Sequence, residues 1–141
     1  MTLVSYAGLT VQKSTFTPTL IGSSTAGVQT YTTQSGIITK IGPLIAIELD
    51  VAISAKDAGI AGNVRVGGIP FTGALAAGAV PISEWTGFTL TASYTHLSLQ
   101  QRAVANTLAL IQNGSAQPGA FIAVTAMAAT SQIRASGIFT V

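Results

Sequence analysis

The chain has 141 residues, 7% of them charged and 48% hydrophobic, with a formal net charge of +2 and no cysteine. That length allows one domain with a sizeable core, and the missing cysteine excludes disulfides and thiolate chemistry. No apolar run approaches the ~20 residues of a membrane-spanning helix. The six basic residues (Lys13, Lys40, Lys56, Arg65, Arg102, Arg134) are scattered, without the stripe that nucleic-acid binding requires.

Met1 to Ser14 reads as an extended N-terminal arm, with Leu3-Val4-Ser5-Tyr6 and Leu9-Thr10-Val11 as short strand-forming pieces. A terminal segment of this kind frays or is laid against a neighbour. It lacks the basic start and long apolar centre of a signal peptide. Thr15 to Thr33 is rich in threonine, serine and glycine and is broken by Pro18, Gly22 and Gly27. This composition predicts surface loop and edge strand, with a carbohydrate-contacting surface as the alternative.

Ile37 to Ile41 and Leu44 to Ser54 are predicted strands joined at Gly42-Pro43. In the second, Ile45, Ile47, Leu49, Val51 and Ile53 alternate with Ala46, Glu48, Asp50 and Ala52. Successive side chains of a strand point to opposite faces, so one face is apolar and the other tolerates charge. Four of the five apolar residues are β-branched types that favour extended backbone.

Ala55 to Asn63 reads as a loop, followed by a strand from Val64 to Phe71 and a small-residue stretch to Gly78. Ala79 to Trp85, Phe88 to Ala92 and Tyr94 to Leu99 are extended, with a phase slip near Ala92-Ser93 that marks a bulge or tight turn. Thr107 to Gln112 is a strand ending at the turn signal Asn113-Gly114. Ala120 to Ala129 admits a short helical turn within an extended region. From Gln132 to Val141 the apolar positions Ile133, Ala135, Gly137, Phe139 and Val141 alternate again. Strands at regular spacing without a long helical pattern predict an all-β, single-domain antiparallel β-sandwich.

The candidate chemical groups are few. Glu48 and Asp50 share the polar face of one strand, and paired carboxylates can divide acid and base roles when a cleft separates their environments. Nothing in sequence marks such a cleft, so solvated or interface charges are expected. His96 stands alone, which excludes a multi-histidine metal site, and no Gly-x-Ser-x-Gly elbow accompanies it. Gly67-Gly68 lacks the pattern of a phosphate cradle. Asn113-Gly114-Ser115 matches a glycosylation sequon but reads better as a turn. Asp57 and Asn63 make a poor calcium site. Phe16, Phe71, Trp85, Phe88 and Tyr94 are expected as core or interface anchors.

Several ordered blocks resemble a structural β-module of tailed-bacteriophage virions. They are Phe16-Thr17-Pro18-Thr19-Leu20, Ser35-Gly36 through Thr39-Lys40-Ile41-Gly42, and Gly62-Asn63-Val64-Arg65-Val66-Gly67-Gly68-Ile69-Pro70-Phe71. Thr91-Ala92-Ser93-Tyr94-Thr95-His96-Leu97 and Ser136-Gly137-Ile138-Phe139-Thr140-Val141 complete the set. The resemblance spans Phe16 to Val141 and implies a homotrimeric, jelly-roll-like β-sandwich (residues 15–141) carrying a short arm (1–14), without enzymatic activity, cofactor or metal. With about fifteen residues ahead of Phe16, the expected role is a capsid decoration (cement) protein that binds the major capsid protein and stabilises the assembled shell. Leu3, Val4, Tyr6, Leu9 and Val11 are then the expected docking residues, since an arm can add a strand to a neighbour's sheet edge. The alternative is a tail-fibre or receptor-binding tip contacting host surface glycans. A depolymerase using Glu48 and Asp50 comes third.

Overall fold

A computed structural model describes residues 10–70, 79–101 and 106–140. Its described residues form ten strands: β1 (Val11–Phe16), β2 (Thr19–Gly22), β3 (Thr30–Ile41), β4 (Leu44–Ala55), β5 (Val64–Gly67), β6 (Ala79–Phe88), β7 (His96–Gln100), β8 (Leu108–Gly114), β9 (Gln117–Phe121) and β10 (Met127–Thr140). All described pairings are antiparallel and join into one sheet of order β1-β3-β4-β10-β6-β7-β8-β5-β2, with β9 on β8.

The β3–β4 hairpin turns at Gly42-Pro43, with Ile41 paired to Leu44. Gly42 has φ +59, the conformation a two-residue turn of the II′ type demands at its first central position, and the fixed φ of proline suits the second. The alternation in β4 is realised in full: Ile45, Ile47, Leu49, Val51 and Ile53 are buried. They pack in one cluster with Leu20 of β2, Val64 and Val66 of β5, Leu97 and Leu99 of β7 and Leu108 and Leu110 of β8. These residues come from both ends of the strand order, so the sheet curls until its two halves enclose a common core.

β6 makes the corner. Its first residues pair with β7 (Ala79 with Gln100, Pro81 with Ser98), and its later ones pair with β10 (Ile82 with Ala135, Trp85 with Ile133). Tyr31 of β3 closes the curl from the opposite side. Its hydroxyl accepts from Leu20 N at 3.0 Å and lies 3.3 Å from Leu20 O, to which it donates.

Local expectations met the structure unevenly. The helical turn within Ala120–Ala129 is a 3₁₀ turn at Val124–Ala126. Phe88–Ala92 is no strand beyond Phe88, because its backbone is satisfied elsewhere. Thr89 N donates to Ala126 O, and Thr91 N donates to the Gln112 side chain. The tight turn falls at Ala92-Ser93, where Ser93 has φ 76. β8 runs through Asn113-Gly114, and the reversal comes at Ser115-Ala116, with Ala116 at φ 58. Val11–Ser14, assigned to the arm, forms most of β1 and pairs with β3 of its own chain.

Candidate functional site

The outer face of β3, β4, β10 and β6 carries the polar half of the alternation. Strand register sets its residues in rows. One row runs Ser35, Asp50, Arg134, Glu84, and the next runs Thr15, Ile37, Glu48, Ser136. Between them lies an open depression of about 340 Å³ lined by Ser35, Ile37, Glu48, Asp50, Arg134 and Ser136, among others. A second depression, about 310 Å³, continues along the strands past Thr32, Ser54, Thr86 and Gln132. Together they make a shallow groove rich in hydroxyl and amide groups.

Arg134 is the organising side chain. Its Nε donates to Asp50 Oδ2 and its Nη1 to Glu84 Oε2, both at 2.8 Å. These contacts raise its proton affinity further, first through the hydrogen bond to Asp50 and then through the charge of Asp50 and Glu84. Gln132 Nε2 takes the other oxygen of Asp50 at 2.9 Å. Both Asp50 oxygens are therefore committed. Glu48, one row away, is exposed and has no partner among the described residues.

Acid–base division of labour needs two carboxyl groups in contrasting environments, one of them withdrawn from water. Asp50 is held in an ion pair and Glu48 faces solvent. The groove offers hydrogen bonds: Glu48 accepts, and the Ser35 and Ser136 hydroxyls donate or accept. Three carboxylates against one guanidinium leave it net negative, which favours neutral polyhydroxylated ligands over phosphates.

The remaining expected site residues lie apart. Leu3, Val4, Tyr6 and Leu9 fall outside the described residues, as does Phe71. Val11 lies on β1 and is 59% exposed. His96 opens β7, exposed, with Nδ1 3.3 Å from Thr95 Oγ1. Asp57 is occupied by its own backbone neighbourhood, accepting from Val28 N at 2.7 Å and Gly59 N at 2.8 Å. Among the described residues no three His, Cys, Asp or Glu side chains converge as a metal site. Phe16 and Trp85 pack against the core, Phe88 lies within it, and Tyr94 donates its hydroxyl to Pro118 O.

Sequence reading missed Arg134 and Gln132 as partners of Asp50, and Glu84 as the second acceptor of Arg134. Arg134 lies 84 positions from Asp50, and only the placement of β10 between β4 and β6 brings them together.

No protein-family model matches the chain, and no curated protein matches it. Among solved structures it is similar to the crystal structure of Dettilon tailspike protein (gp208), with a TM-score of 0.72 and 19% sequence identity. The match covers 92% of this chain and 24% of the tailspike chain, so this chain spans about a quarter of that protein's length. At that identity the likeness shows the fold: nearly the whole chain has the architecture of a β-module from a tailspike.

Proposed function

We propose that the chain is a structural module of a phage virion, tail-associated, which contacts host surface glycan through the outer-face groove and cleaves nothing. The observation carrying this reading is the fold shared with a tailspike protein over 92% of the chain. The groove supports it chemically, being open, hydroxyl-lined and net negative, with its principal charges paired. The module works as a homotrimer, its curled sheet forming the jelly-roll-like sandwich that the sequence resemblance implies.

Quantitative mass spectrometry of purified particles tests the location. A tail module is present in few copies, whereas a capsid decoration protein approaches the full complement of the shell. The decoration reading keeps one supporting observation: among the described residues β1 is paired on one side only, and such an edge can accept a strand from the major capsid protein. Activity is tested separately. Host polysaccharide incubated with the protein keeps its chain length; shortening that disappears in Glu48→Gln would overturn the non-enzymatic reading.

A further inference from the structure

Five large hydrophobic side chains are exposed among the described residues, and three of them gather at one end of the outer face. Val11 is 59% exposed, Leu44 38% and Ile138 65%. Register explains the gathering. Val11, Ile41 and Leu44 occupy one row, and Lys13, Thr39, Ala46 and Ile138 occupy the next. With strands roughly 4.8 Å apart, the four strands present an apolar end about 15 Å wide. It is continuous with β1, whose residues Val11–Thr15 are all exposed.

Two charges border this end. Lys13 stands on the outermost strand, and Glu48 stands two strands inward and one row along. Strand spacing and rise put their backbones roughly 12 Å apart, and among the described residues no ion pair joins them. Neither has a partner among the described residues. A rotation that brings the β1 side of one copy onto the β4–β10 side of the next would cover the apolar residues and set Lys13 against Glu48. Contacts of this head-to-tail kind close into a ring when each copy uses both flanks.

We infer that the apolar end formed by Val11, Leu44 and Ile138 is the surface through which copies of this chain meet, with Lys13 of one copy paired to Glu48 of the next. The inference rests on the homotrimer reading and identifies its surface. A second copy is the occupant that fits, because the face itself supplies both members of the charge pair, and the chain's 7% charge content leaves few other solubilising groups. It also gives the groove a residue from a neighbour, since Glu48 lines it.

Sedimentation equilibrium of the full chain tests this. The unsubstituted protein is a trimer. Ile138→Asp, Lys13→Glu and Glu48→Lys each weaken association by at least about tenfold with unchanged far-ultraviolet circular dichroism, and the Lys13→Glu/Glu48→Lys double variant regains it. A trimer indifferent to all three single substitutions overturns the surface while leaving the trimer standing. A double variant that stays dissociated overturns the charge pair. An unsubstituted protein that is monomeric across the concentration range overturns the trimer and the surface together.

Discussion

The two rims of the sheet are finished in opposite ways. At the β2 rim, the Tyr31 hydroxyl takes both the N–H and the carbonyl of Leu20, and Gln34 Nε2 donates to Pro18 O at 3.0 Å. Side chains of β3 thus occupy ladder groups that a foreign strand would use. At the β1 rim, the described residues Val11–Thr15 pair with β3 on one side and lie exposed. An unpaired edge is a liability for a free monomer and an asset for a protein that assembles. Among the described residues, one rim is sealed by the chain's own side chains, and the other is paired on one side only.

The contrast can be broken most severely at Gly22. A Cβ there would lie 2.2 Å from Ala61 O and 2.4 Å from Thr25 O, both backbone atoms that cannot swing aside. Gly22→Ala is expected to cost about 3 kcal/mol in urea unfolding, at the upper end of overpacking. Tyr31→Phe comes next, at about 2 kcal/mol, because it strands a part-buried donor and acceptor of Leu20. Burial raises the Tyr31 pKa, and the hydrogen bond with Leu20 partly offsets this. Its contribution is therefore complete below the ordinary tyrosine value of about 10 and lost as pH rises through the higher folded value.

Asp57 sharpens the comparison at the sealed end, where it ties the β2–β3 connection to the loop after β4. The N–H of Gly59, and then that of Val28, holds its carboxyl below the usual aspartate value. Stability from this contact is present above about pH 4 and fades as pH falls through the lowered folded value. In acid titrations of unfolding midpoint, Asp57→Asn should be less stable at neutral pH and show a shallower acid decline. The smallest effect belongs to the open rim. A Cβ on Gly36 meets the Phe16 ring at 2.6 Å, so the ring, a side chain rather than backbone, must shift against the core it packs on. Gly36→Ala is expected to cost about 1 kcal/mol in the same assay, at the lower end of overpacking.

Period-two patterns were legible in the sequence wherever one face is buried. β4 and the later part of β10 follow their alternation residue by residue, and the β3–β4 turn falls where Gly42-Pro43 predicts it. Phe88–Ala92 misled because its alternation is real while its backbone partners are a side-chain amide and a 3₁₀ carbonyl. Asn113-Gly114 misled because the same residue pair can serve a ladder. There Gly114 backs onto Ser93 O, which a Cβ would meet at 2.1 Å. Of the candidate groove, the Glu48 and Asp50 positions were readable. The Arg134 pairing was not, because cross-strand neighbours depend on strand order, which one strand's pattern does not encode.

The placement of β10 carries a consequence for biosynthesis. This strand lies between β4 and β6, and its pairing joins residues as distant in sequence as Leu44 and Thr140. While residues 127–140 are still inside the ribosome, β4 and β6 lack the strand that separates and joins them. Closure must therefore await emergence of that segment, and such non-local pairing is slow. During that interval the nascent chain presents an apolar row from Ile45 to Ile53, and chaperone binding at this stage would protect it from mispairing with other chains.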